Sequence, residues 1–276
     1  MRRLIVGCGY LGGRVGSIWR DAGDEVYATT RGPRADALSR VGLRPLILDV
    51  TRGSALVDLP EVETVVFAVG RDKRSSATML DIHTTGLRVV LDALPASTGR
   101  VIYVSSTGVY GQDAGEWVDE ESECEPLTEG GQACVLGERL FLAHARGRDA
   151  VVLRLAGLYG PGRVPRLAGV AAGTPIARSP DAYLNLIHLE DAAGAVVSAA
   201  DSGPTARRTY VVSDGNPPTL GEYTARLATQ LGVASPRFEG GSGRGKRVRN
   251  TKAVQELGVR LTYPSYREGL AATRVQ

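Results

Sequence analysis

The 276 residues carry 33 Lys+Arg against 30 Asp+Glu, a net charge of +3, with 43% hydrophobic and 23% charged positions. That balance excludes a largely disordered or collagen-like chain and is too mild to announce nucleic acid or a membrane surface as partner. The length suffices for one large domain, or one domain with a smaller lobe, around a substantial core. Only Lys73, Lys246 and Lys252 are lysines, the other thirty basic residues being arginine, and 35 glycines imply many tight backbone turns. Cys8, Cys124 and Cys134 form no CxxC pair and share no metal-ligand spacing with the three histidines. Such sparse usage fits a reducing compartment, so a cytoplasmic protein is expected. The opening apolar run, Leu4–Val6, is too short for a signal peptide, and no stretch approaches the roughly 18 apolar residues of a membrane span.

In chain order, short Val/Ile/Leu-rich runs predict strands at Arg3–Val6, Glu25–Thr29, Arg44–Leu48, Thr64–Ala68, Val101–Ser105 and Val151–Leu155. Helical patterns fall between them at Leu11–Ala22, Ala35–Val41, Ile82–Leu94 and Gln132–Arg146. This alternation predicts an α/β fold, a doubly wound parallel sheet of the Rossmann type. After residue 155 the rhythm loosens into a Gly/Pro-rich stretch. A strand follows at Asn185–Leu189, a helix at Glu190–Ala200, a strand at Tyr210–Ser213 and a helix at Leu220–Leu231. Glu239–Gly245 has the composition of a flexible loop, and Thr251–Leu257 and Ser265–Ala272 read as short helices. The expected organisation is a dinucleotide-binding domain over 1–155 and a substrate-binding lobe over 156–276. From the latter, Asn185–Ala200 and Tyr210–Ser213 return to the first domain.

The first strand runs into Gly7-Cys8-Gly9-Tyr10-Leu11-Gly12-Gly13, a G-x-G-x-x-G that opens a helix. In that context Gly7 permits the tight turn, Gly9 lets backbone approach a diphosphate, and Gly12 lets helix and strand pack closely. The anion then meets unpaired N–H groups at the positive end of the helix dipole, beside Tyr10 and Leu11. An NAD site places a carboxylate about 20 residues further on. Here the second strand ends in Thr30-Arg31, with Arg34 close by, a pairing suited to a 2′-phosphate, so NADP(H) is expected over NAD(H).

Five further segments, in order, resemble the extended and atypical short-chain dehydrogenase/reductase superfamily of the NAD-dependent epimerase/dehydratase type. They are Asp49-Val50, Ala68-Val69-Gly70, the S-S-x-x-V-Y-G of Ser105–Gly111, the L-R-x-x-x-x-Y-G-P-G of Leu153–Gly162, and the N-x-I-H-x-x-D of Asn185–Asp191. The resemblance implies that Asp49 and Val50 meet the adenosine. It also implies that Ala68–Gly70, Ser105 and Ala156-Gly157-Leu158 lie along the dinucleotide, and that Ser106 bonds a substrate carbonyl or alcohol. His188 is expected to pack rather than to react, and Asp191 to complement a helix dipole.

The same family carries Tyr-x-x-x-Lys on the next helix, the tyrosine as acid/base and the lysine lowering its pKa and holding the nicotinamide ribose. Aligning the family's following A-E with Gly137-Glu138 puts Gly130 in the tyrosine's place and Cys134 in the lysine's. The relay is therefore absent. Tyr110 lies close in sequence to Ser106 and, on this resemblance, is the phenol nearest the expected nicotinamide, with its pKa expected near 10 for want of a neighbouring cation. Cys134 reads as a small buried hydrophobe. Thr107, Arg163 and Arg247, with Arg166 and the basic run Arg237–Arg249, are candidates for substrate contact. Two functions stay open. One is an NAD(P)-dependent oxidoreductase or epimerase acting on a small polar carbonyl or alcohol such as a nucleotide sugar. The other is a catalytically inactive NADP(H)-binding sensor or scaffold. The helices Ile82–Leu94 and Gln132–Arg146 offer a homodimer contact.

Overall fold

The computed structural model describes residues 1–52, 58–72, 75–203 and 208–273, so Lys73 lies outside the described residues. Its first half is β1 (Arg2–Val6), α1 (Tyr10–Asp21), β2 (Glu25–Thr30), α2 (Ala35–Arg40), β3 (Arg44–Ile47) and β4 (Thr64–Phe67). Next come α3 (Met79–Asp81), a wide π turn (Ile82–Gly86), α4 (Leu87–Ala93), β5 (Arg100–Ser106), β6 (Ala114–Val118), α5 (Glu129–Ala143) and β7 (Ala150–Leu155). The remainder is β8 (Gly157–Tyr159), α6 (Leu167–Ala171), β9 (Leu186–His188), α7 (Leu189–Asp201), β10 (Arg208–Val212), α8 (Leu220–Leu231), β11 (Gly245–Val248), α9 (Thr251–Leu257) and α10 (Tyr266–Ala272).

Seven strands form one sheet in the order β10-β7-β5-β4-β1-β2-β3, and every pairing is parallel. Strands covered on both faces cannot alternate polar and apolar residues, which is why β4 (Thr64-Val65-Val66-Phe67) and β7 (Ala150-Val151-Val152-Leu153-Arg154-Leu155) are buried throughout. One face packs on α1, α7 and α9 through Val15, Trp19, Ala192, Val196 and Leu257. The other packs beneath α4 and α5 through Leu87, Val90, Leu91 and Phe141. The order of strands reverses between β1 and β4, which opens a crevice at the carboxyl ends of the strands, where α/β sheets bind ligands.

Five elements lie outside the predicted ones: α3, β6, β8, α6 and β11. β6 pairs with β11 across more than a hundred residues, and β8 pairs with β9, each pair forming its own two-stranded sheet. The predicted strand Asn185–Leu189 therefore lies beside β8, outside the large sheet. α5 begins at Glu129, three residues earlier than periodicity indicates, because Thr128 caps it by accepting the Gly131 N–H at 3.1 Å. It ends at Ala143, where His144 turns to extended backbone. The predicted loop Glu239–Gly245 has a tethered end: Asp113 accepts from Arg244 N and Gly245 N, both at 2.9 Å.

Just beyond β10, Asp214 is 3% exposed, and only one of its carboxylate oxygens has a partner, the Asn216 N–H at 3.0 Å. Burial, with Asp191 and Glu268 nearby, pushes its pKa up to about 7 from 3.8. The folded state thus holds this proton more tightly than the unfolded chain, and stability falls as pH rises from about 4 through about 7. Urea unfolding of Asp214→Asn should show little pH-dependent advantage over wild type at pH 4. An advantage of about 1–3 kcal/mol should develop by pH 8. An equal difference at both pH values would contradict this account.

Candidate functional site

The turn from β1 into α1 is shaped by what its glycines exclude. Gly7 has φ +92°, and a Cβ there would stand 2.7 Å from the backbone of Ala68 and Val69. A Cβ on Gly12 would stand 2.5 Å from the Gly7 carbonyl and 2.9 Å from Ile5, so α1 can lie against β1 only with glycine at this position. Gly9 differs: a Cβ would meet nothing within 4 Å. Gly9 also caps α1 with no side-chain hydrogen bond, so no side chain at the cap satisfies the first helical N–H groups. The shape of this turn leaves a cradle with room for an anion, and the residues present fit a dinucleotide diphosphate.

The cradle floors a cleft of about 650 Å³ at the carboxyl ends of the strands. Its walls bring together Gly7, Gly9, Tyr10, Leu11, Thr30, Arg31, Asp49, Val50, Ala68, Val69, Gly70, Ser105, Ser106, Leu158 and Arg163 from the residues expected by sequence. Gly12 stands behind the wall as a packing residue, and Ala156 and Gly157 do not line the cleft. Cys8, Arg34, His83, Val104 and Cys134 line it without having been assigned to it. In the sequence Arg34 is marked only as a neighbour of Arg31. His83 carried no signal, since only the packing of its helix brings it to the cleft.

At the β2 end, Arg31 pairs with Asp72, and Arg34 Nη1 donates to the Cys8 carbonyl at 3.0 Å. Asp49 accepts from Thr51 N at 3.0 Å and Thr51 Oγ1 at 2.7 Å. These bonds, with Arg31 and Arg52 nearby, outweigh its desolvation and hold its pKa below the usual value. At the β5 end, Ser106 Oγ accepts the Gly108 N–H at 3.0 Å, which leaves its O–H free to donate.

Behind Ser106 runs a buried polar chain. Ser105 Oγ donates to Glu138 at 2.6 Å, Arg154 donates to both Glu138 oxygens at 2.8 to 3.2 Å, and Arg154 Nη1 donates to Tyr110 Oη at 2.8 Å. Tyr110 in turn donates to the Asp119 carbonyl at 2.7 Å. The expectation of a Tyr110 without a neighbouring cation is thus corrected: Arg154 stands against it. Burial outweighs that cation and drives the phenol's pKa above 10, and Tyr110 is 1% exposed and absent from the cleft walls. Thr107 is buried in the turn that follows β5.

α5 contains neither tyrosine nor lysine. Gly131, pressed against the Gly108 carbonyl, anchors its start, while a Cβ on Gly130 would meet nothing within 4 Å. Cys134 lines the cleft, and burial pushes its thiol up to about 11, which keeps it protonated at neutral pH.

Among the arginines, Arg163 lies over the Tyr10 ring at the cleft wall, its Cζ 5.7 Å from the centroid. Arg247 lies elsewhere, between Trp117 and Tyr183 at 4.8 and 4.9 Å, and donates to the Gly115 carbonyl. Arg166 precedes α6 in a left-handed conformation. His188 caps α7 and stacks on Tyr263, its ring centroid 3.9 Å away. Asp191 accepts from Thr262 N and Tyr263 N, so it ties down the C-terminal segment beyond complementing a helix dipole. Among the described residues no cluster of His, Cys, Asp and Glu could hold a metal, and no helix is long and apolar enough to cross a membrane.

Residues 4–213 match the profile of the NAD dependent epimerase/dehydratase family. The chain belongs to that family. It is 35% identical over 183 residues to protein YeeZ of Escherichia coli K12, an alignment covering 64% of this chain and 63% of YeeZ, less than two thirds of that relative. A functionally unknown conserved protein from Silicibacter pomeroyi DSS superposes with a TM-score of 0.78 at 28% identity, covering 98% of this chain and 97% of the other. The UDP-glucuronic acid 4-epimerase of Bacillus cereus, solved in complex with NAD, superposes with a TM-score of 0.82 at 18% identity. It covers 99% of this chain and 97% of its own, and at that identity it speaks for the fold alone.

The glycine geometry separates folding from binding. Gly12→Ala should cost about 2 kcal/mol or more of stability by overpacking. Gly9→Ala should melt within a few degrees of wild type while losing dinucleotide affinity, its methyl occupying the cradle. Thermal melts paired with dinucleotide titration test both, and a Gly9→Ala protein that binds normally would show that the cradle holds no anion.

Proposed function

We propose that the chain binds NADP(H) in the cleft and acts as an oxidoreductase, or as an epimerase that passes a hydride out and back. Its substrate is a polar carbonyl or alcohol such as a nucleotide sugar. The observation that carries this reading is the continuity of one cleft from Thr30 and Arg31, across the open face of Gly9, to Ser106. When bound, the dinucleotide supplies the ring that gives or takes the hydride. The chain's own residues bind, orient and polarise around it. Backbone N–H groups after Gly9 take the diphosphate, Ala68–Gly70 lie along the cofactor, and the free O–H of Ser106 donates to the substrate oxygen.

Arg31 and Arg34 both line the β2 end, and we read them as the 2′-phosphate contacts. A phosphate there competes with Asp72 for Arg31 and adds to the single bond of Arg34. Arg163, on the wall beside Tyr10, suits a substrate phosphate or carboxylate. We assign substrate recognition to the lobe after residue 155, which contains Arg247, and to Thr107 in the turn after β5, with residues 185–200 and 210–213 serving the dinucleotide half. Leu136 in α5 is 43% exposed, which supports a homodimer contact through the helices Ile82–Leu94 and Gln132–Arg146.

A second reading, a catalytically silent NADP(H) sensor or scaffold, is favoured by the lack of tyrosine and lysine on α5 and by the enclosure of Tyr110. Fluorescence titration and a panel of carbonyls and sugar nucleotides separate the two. NADPH should bind more tightly than NADH, and the double variant Arg31→Ala/Arg34→Ala should weaken NADPH by about tenfold or more while sparing NADH. Turnover lost in Ser106→Ala supports the enzyme. Equal cofactor binding with no turnover by wild type or variant supports the sensor, and tighter NADH binding overturns the NADP assignment.

A further inference from the structure

His83 sits in the π turn between α3 and α4, is 4% exposed, and still lines the cleft. A π turn widens a helix and shifts the direction of its side chains, and such turns recur at functional sites. The Nδ1 of His83 is 2.5 Å from the hydroxyl of Tyr103 in β5. Room for that hydroxyl depends on glycine in α5: a Cβ on Gly137 would stand 2.2 Å from Tyr103 Oη and 2.8 Å from the His83 carbonyl. Three elements, the π turn, β5 and α5, are thus fitted around one hydrogen bond.

The direction of that bond follows from the surroundings. Burial, with Cys134 and Glu138 nearby, drives the Tyr103 pKa well above 10, so the phenol keeps its proton. Among the described residues its hydroxyl has no other partner, and a buried O–H left without an acceptor is costly. Tyr103 therefore donates to Nδ1. The imidazole is neutral, since burial holds its pKa down at about 4, and its own proton lies on Nε2. Nε2 has no partner among the described residues, yet it is not one of the fully enclosed polar atoms. Val104, Ser105, Ser106 and Cys134 line the same cleft.

We propose that His83 is a neutral hydrogen-bond donor of this cleft. It presents Nε2–H to an oxygen of the bound dinucleotide or of its substrate, with Tyr103 as the positioning residue that fixes the tautomer. A neutral imidazole whose second nitrogen is already occupied cannot act as a base at neutral pH, but it can donate to an oxygen that gains negative charge. The proposal rests on the reading that the cleft binds a dinucleotide. It assigns to the π turn a polar contact that Cys134, a protonated thiol on α5, cannot supply as strongly.

The test uses the full chain labelled with 15N-histidine, in which the His83 signals are those lost in His83→Gln. At pH 7 wild type should show the Nε2–H tautomer, unchanged between pH 5.5 and 8, and Tyr103→Phe should show a mixture of tautomers. Saturation with NADPH, or with NADPH plus a turned-over carbonyl, should move the Nε2 resonance. His83→Leu should weaken NADPH by about five- to tenfold if the acceptor is a ribose hydroxyl. It should instead lower kcat with unchanged NADPH affinity if the acceptor is the substrate oxygen. In either case His83→Gln, which keeps an N–H donor, should recover part of the loss.

An Nδ1–H tautomer, titration near pH 6.5, or an Nε2 signal unmoved by either ligand overturns the proposal. If His83→Leu fails to fold, the wild-type spectra decide alone. A wild type that takes up no dinucleotide removes the functional reading and this proposal together. A wild type that binds, with an unmoved His83 and an equally binding and active Leu variant, removes this proposal only.

Discussion

The buried pair of Glu138 and Arg154 is the interaction on which the β5 end of this molecule depends. Arg154 comes from β7, Glu138 from α5, and through Ser105 and Tyr110 the pair reaches β5 and the turn beyond it. Both side chains are less than a tenth exposed, so each charge has lost its water and is compensated by the other. A pair of this kind adds little net stability, but removing one partner leaves a buried charge at a cost of about 3–5 kcal/mol. Its hold is therefore one of geometry. It sets where α5 lies across β5, and with it the positions of Ser106, Cys134 and the Tyr103–His83 bond.

That geometry also decides what chemistry the cleft can offer. The pair draws Tyr110 inward and occupies its hydroxyl twice, as donor and acceptor, so that this phenol, like Tyr103, is withdrawn from solvent. What remains at the β5 end is uncharged at neutral pH: a serine hydroxyl, a thiol held protonated and a neutral imidazole. Charged groups of the cleft stand at the opposite end, around Arg31, Arg34, Asp49 and Asp72, with Arg163 over Tyr10 on the wall. A ligand matched to this arrangement is anionic along one part and polar but uncharged along the other. This is the division of a dinucleotide between its phosphates and its nicotinamide ribose.

The parallel sheet and the glycine turn were legible because their causes are local. A strand buried on both faces must be written in Val, Ile and Leu, and a helix pressed against β1 must have glycine where Gly12 stands. Most residues assigned to the cofactor from the motif order meet in one cleft for the same reason, since each lies at or just beyond the carboxyl end of a strand. The pairing of β6 with β11 was not legible, because two short polar strands far apart in sequence leave no periodicity to read.

Side-chain partnership was the other thing hidden. Ser106 and Tyr110 are close in sequence, yet the first opens to the cleft and the second is sealed by an arginine 44 residues away. Arg163 and Arg247 are equally basic, yet one stands on the cleft wall and the other is held between two rings. His83 gave no sign at all. The amino-acid order alone determined the sheet, its crossovers and the glycine cradle, because backbone sterics and burial of apolar strands act over a few residues. Tertiary packing decided which polar groups face the ligand, because desolvation and hydrogen-bond pairing depend on neighbours that only the folded chain brings within about 3 Å.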